Sequence, residues 1–191
     1  MRRQKGRGAR ENQRAVRRSE YATQVAPLLQ AEVQLNGPDD RVLLLGDELV
    51  DLAKTLAPKL SEGALALVVT EFELWDAARS ALAGHANVTV VQELAELDDP
   101  DGFDVPPWTL GVFLSPFHIG IKAVFDLLRE LTARMAIGAP IYAGGTRTHD
   151  FVEVQERLSA LAGPLTVLRW SDPVKIVQGR VIARGRMEER V

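Results

Sequence analysis

The chain has 191 residues, a hydrophobic fraction of 46%, a net charge of −3 and no cysteine. That length suits one domain with a sizeable core, and the composition excludes a globally disordered chain. The missing thiols exclude disulfides, thiolate metal ligands and a cysteine nucleophile, and no apolar run approaches the roughly 18 residues that span a bilayer. The basic N-terminus is not followed by an apolar segment, so it does not read as a secretory signal, and a cytoplasmic location is the default expectation.

The charge is unevenly placed. Residues 1–20 hold eight basic side chains (Arg2, Arg3, Lys5, Arg7, Arg10, Arg14, Arg17 and Arg18) against two acids, a net of +6. The remaining 171 residues hold 15 basic and 24 acidic groups, a net of −9. Residues 1–12 have little apolar surface to bury and read as a flexible arm. Neutralising phosphates requires only charge, so the eight basic residues are candidate RNA-binding residues. A merely solvated terminus is the plain alternative, but an acidic body alone would repel nucleic acid, and the arm corrects for that.

In chain order, residues 11–30 have a helical pattern with Val16, Tyr21, Val25, Leu28 and Leu29 on one side, and Pro27 is expected to kink or end the helix. Asn36-Gly37-Pro38-Asp39-Asp40 is a turn cluster. These signals divide the chain into a basic arm with an N-terminal helix (1–37) and an α/β domain (38–191). Val42-Leu43-Leu44-Leu45 reads as a buried strand ending at Gly46. Asp47 is placed to cap a helix that buries Leu49, Leu52, Ala53 and Leu56. Residues 64–70 read as a second strand, 72–82 as a helix and 88–91 as a third strand. Residues 95–107 read as a surface loop, 108–114 as a fourth strand and 119–135 as a long helix. Residues 140–143 read as a fifth strand followed by a Gly144-Gly145 loop, and 151–162 as a helix. Residues 165–170 and 174–183 close the chain as two strands.

Strands alternating with helices imply a mostly parallel sheet with helices on both faces. The last two strands are joined too tightly for a right-handed crossover, so they pair antiparallel. The expected fold is therefore a Rossmann-like α/β fold with a seven-stranded, mostly parallel sheet and a terminal antiparallel hairpin.

That plan, with Leu114-Ser115-Pro116-Phe117-His118-Ile119-Gly120 after the fourth strand and Glu71 after the second, is similar to the class I S-adenosylmethionine-dependent methyltransferases. The segment resembles the Asn-Pro-Pro-Phe-His-x-Gly stretch of the ribosomal small-subunit guanine-N2 methyltransferases. Those enzymes carry two methyltransferase-like domains, the first without a working cofactor motif. Arg41–Asp47, Ile141–Thr148 and the hairpin around Val174–Arg180 are similar to that first domain. The resemblance implies a cofactor, S-adenosylmethionine, beside Gly46, Asp47, Glu48 and Glu71. A carboxylate at Glu71 suits both ribose hydroxyls. It also implies a substrate pocket at Ser115, Pro116, Phe117 and His118, with Phe117 stacking on a base and His118 bonding it. The implied activity is methyl transfer to RNA, ribosomal RNA first.

The sequence departs from the pattern at two places. The loop Gly46-Asp47-Glu48-Leu49-Val50-Asp51 keeps one glycine, and Leu114 and Ser115 stand where the family has its amine-holding Asn and first Pro. An inactive methyltransferase-fold scaffold, binding RNA or a catalytic methyltransferase chain, is therefore the alternative. A third reading places an anion on Gly144-Gly145-Thr146-Arg147 through backbone N–H groups and the guanidinium. Asp47, Glu48, Asp51, Glu71 and Glu73 match no established metal-loop spacing, so no metal is expected.

Overall fold

The structure, a computed structural model, describes residues 21–98, 105–116, 119–147 and 151–182. Seven strands form one sheet in the order β3-β2-β1-β4-β5-β7-β6. The strands are β1 (Arg41–Leu45), β2 (Ala64–Val68), β3 (Val88–Val91), β4 (Leu110–Leu114), β5 (Pro140–Thr146), β6 (Thr166–Ser171) and β7 (Val174–Arg180). The first five are parallel, and β7 pairs antiparallel with both β5 and β6. Five α-helices cover the sheet: α1 (Ala26–Glu32), α2 (Val50–Leu56), α3 (Phe72–Leu82), α4 (Ile121–Ala133) and α5 (Phe151–Ala162). This is the fold expected from the sequence.

Alternation along each strand splits the core in two. Leu43, Leu45, Phe113, Ile141 and Val177 face α4 and α5, whereas Leu44, Leu110, Val112, Tyr142 and Ile176 face α1, α2 and α3. Both faces of the central strands are dry, which is why β1, β2 and β4 are nearly continuous apolar runs. Burying each Leu of this kind contributes about 2 kcal/mol.

Several local expectations need correction. Pro27 does not end the helix; it marks a change from a π-helical turn at Tyr21–Val25 to the α-helix. Proline lacks an N–H, so the hydrogen-bond ladder is interrupted there and the helix changes type. Helix α1 packs on the sheet, with Val25 and Leu29 fully buried. The 95–107 loop opens instead with a 3₁₀ turn, Leu94–Leu97, closed by a Glu93/Glu96 capping box. Gly144-Gly145-Thr146 is not a loop. It is the end of β5, in register with Ile176, Lys175 and Val174 of β7. The glycines are required by crowding: a Cβ at Gly145 would lie 2.5 Å from the Phe151 ring, and one at Gly144 would lie 2.9 Å from both Ile176 Cδ1 and Val25 Cγ1.

The turn at residues 36–40 is tied to the sheet by Asp40, whose carboxylate accepts bonds from the Asn36 amide at 2.6 Å, the Gly37 amide at 3.2 Å and Thr109 Oγ1 at 2.8 Å. Burial pushes this carboxyl up, but those bonds together outweigh it and hold the group below its ordinary value of 3.8.

Candidate functional site

The C-terminal ends of β1, β2 and β4 meet at one edge of the sheet, where open α/β folds hold their ligands. Gly46 leaves β1 with φ +154°. Its amide donates to Val68 O of β2 at 3.1 Å. A Cβ at Gly46 would sit 2.7 Å from Leu114 Cβ, 2.9 Å from Leu114 O and 3.2 Å from Leu49 Cδ1. Packing against β4 therefore suffices to require a glycine here.

Asp47 does not cap α2. The residue before that helix is Leu49, and no side chain caps it. The Asp47 carboxylate instead turns toward β2: Oδ1 accepts the Thr70 amide at 2.8 Å and the Glu71 amide at 3.3 Å, and the Thr70 hydroxyl donates to it at 3.2 Å. Asp47 is only 4% exposed, so these bonds satisfy a buried carboxylate. They tie the β1 loop to the β2 loop. Glu48 follows half-buried, Leu49 is fully buried inside the turn, and Glu71 stands half-buried ahead of α3.

At the end of β4, Leu114 is fully buried, and Ser115 and Pro116 are also buried. The structure thus brings Gly46, Asp47, Glu71 and Ser115 to one edge. Phe117, His118 and the basic residues Arg2, Arg3, Lys5, Arg7, Arg10, Arg14, Arg17 and Arg18 lie outside the described residues. Among the described residues no cluster of three or more His, Cys, Asp or Glu stands in metal-binding arrangement, and no helix is long and apolar enough to cross a membrane. One residue important to this edge carried no sequence signal: Thr70, whose amide and hydroxyl donate to Asp47.

No family model matches the chain, and no curated protein matches it. Solved structures do. The 16S rRNA N2 methyltransferase RsmC of T. thermophilus, solved with AdoMet and guanosine, superposes with a TM-score of 0.65 at 19% identity over 84% of this chain. The fold is that of the class I methyltransferases. A SAM-dependent methyltransferase from Aquifex aeolicus gives a TM-score of 0.62 at 15% identity, covering 86% of this chain and 93% of that one. The N-methyltransferase NodS of Bradyrhizobium japonicum gives 0.59 at 13% identity, covering 87% and 97%. The chain spans only 39% of the length of RsmC.

A methyltransferase fold implies a nucleoside cofactor at this edge, and a glycine-lined turn is what lets such a ligand approach the backbone. Here positions 47–51 all carry side chains, Leu49 occupies the inside of the turn, and the Asp47 carboxylate is bonded across to β2. Those side chains stand where a glycine-lined turn would leave the backbone open.

Proposed function

We propose that this methyltransferase-fold chain is a non-catalytic scaffold that binds RNA, ribosomal RNA first, beside a catalytic methyltransferase chain. The observation that carries the reading is Leu114. By resemblance it stands where the guanine-N2 enzymes hold the target amine, yet its side chain belongs to the core, packed against Gly46. An alkyl group accepts no hydrogen bond from an amine. The net charge of +6 on residues 1–20 supports an electrostatic hold on RNA.

A second reading, an S-adenosylmethionine-dependent RNA methyltransferase, is favoured by Glu71. It lies half-buried after β2, where the resembling enzymes hold a ribose, with Ser115-Pro116-Phe117-His118 as the substrate pocket. Calorimetry with S-adenosylmethionine and S-adenosylhomocysteine separates the two. The scaffold reading expects no heat at millimolar cofactor and no methyl transfer to ribosomal RNA from labelled cofactor. Micromolar binding that Glu71→Ala abolishes would replace it with the enzyme reading. Removing residues 1–20 is expected to take away most of the salt-dependent RNA affinity.

A further inference from the structure

We propose that the tip of the β6–β7 hairpin is a stacking clamp for an unpaired base of single-stranded RNA, with Trp170 as the platform and Lys175 and Arg147 as the phosphate contacts. The inference rests on the RNA-binding reading above and adds a site on the folded body. Trp170 is 64% exposed on an edge strand. It pairs with Lys175 of β7, whose ammonium lies 5.7 Å from the indole centroid. Lys175 pairs in turn with Gly145 of β5. Two residues on, the Arg147 amide donates to Pro173 O at 3.2 Å, which fixes Arg147 beside the hairpin turn.

Helix α5 packs on β5 and β7, and α1 covers the other face of the hairpin; Trp170 lies on the α5 side, where its exposure leaves the indole open to a flat ligand. On the Trp170 face Arg147 and Lys175 stand against Asp172, 3.7 Å from Arg147, whereas Arg169 points to the α1 face and meets Glu32 at 2.7 Å. In a body whose net charge is −9 outside residues 1–20, this local reversal of sign suits a phosphate chain. An aromatic face beside cations is the arrangement that holds single strands, because every base has a π face. A duplex keeps its bases stacked and does not present them. The tip also lies at the same edge as Ser115-Pro116, three strand spacings or about 14 Å from β4.

The test uses the full chain and a fluorescein-labelled 12-nucleotide RNA of mixed sequence, single-stranded or annealed to its complement. Trp170→Ala is expected to weaken single-strand binding about tenfold, the worth of one base stack, with Trp170→Phe in between. Lys175→Ala and Arg147→Ala should each lower the slope of log affinity against log salt by about 0.7, the single-strand value per phosphate contact. Trp108 is buried and Trp75 half-buried, so RNA should quench the wild-type indole emission far more than that of Trp170→Ala. Unchanged affinity in Trp170→Ala, with binding lost on removing residues 1–20, would overturn the clamp and leave the scaffold reading standing. Absence of RNA binding by the wild-type chain would overturn both. A dimer that Trp170→Ala dissolves, at unchanged RNA affinity, would assign the hairpin to self-association instead.

Discussion

The two ends of the sheet's ligand edge differ in what their side chains are doing. At the β1–β2–β4 end, residues in and around the turn that resembles a cofactor loop are engaged within the protein. Gly46 is packed against Leu114, Leu49 fills the turn, and Asp47 is bonded to Thr70 and Glu71. At the β5–β7–β6 end, an indole and several cations face solvent. The first region has the character of a core and the second that of a surface. Retained motif residues can thus report packing as well as a ligand.

Substitutions ordered by their cost to stability sharpen that contrast. Gly46→Val should be the worst, about 4 kcal/mol, since it adds overpacking against Leu114 to an unfavourable φ. Urea unfolding measures it, and a cost under 1 kcal/mol would mean that the β1–β4 contact yields easily. Leu49→Ala empties a fully buried position and should cost about 3 kcal/mol. Asp47→Ala strands two backbone amides and should cost about 2 kcal/mol, with Asp47→Asn milder because one acceptor survives. A neutral Asp47→Ala would argue that water or a ligand normally serves those amides.

Asp40, at the opposite end of β1, gives a smaller effect with a pH signature. Its carboxyl is held below the ordinary 3.8. The stabilisation is therefore complete above that value and is lost as pH falls through the lower folded one. Asp40→Asn should cost about 1 kcal/mol at neutral pH, and the gap in urea midpoint should close in acid. A gap that stays constant down to pH 2 would assign the effect to shape and not to charge. Least of all, Trp170→Ala should change stability by under about 0.5 kcal/mol, as a surface substitution does.

The fold was largely legible from residue pattern. Val42–Leu45 and residues 64–68 are apolar on both faces, as strands covered from both sides must be, and α3 and α5 fall where their periodicity puts them. The short link at Asp172-Pro173 dictated the antiparallel pair. The site was less legible for a physical reason. Asp47 looks like a cap because local neighbours are all that sequence offers, whereas its partners Thr70 and Glu71 lie 23 and 24 residues away. Gly144-Gly145 looks like a loop because glycine favours turns, whereas here it makes room for Phe151, Ile176 and Val25. Trp170 gave no signal at all, since nothing local distinguishes an exposed indole from a buried one.

Helix α1 has one more consequence. Val25, just ahead of it, and its own Leu29 dock on β5 and β7, and with the Glu32–Arg169 pair they hold the chain from residue 21 on the same half of the molecule as the hairpin. If residues 1–20 and the hairpin both hold RNA, a short flexible connection between them would give an effective concentration on the order of millimolar. An RNA long enough to reach both would dissociate only when both release together. Its affinity would then rise steeply with RNA length past that reach, although neither contact is strong alone.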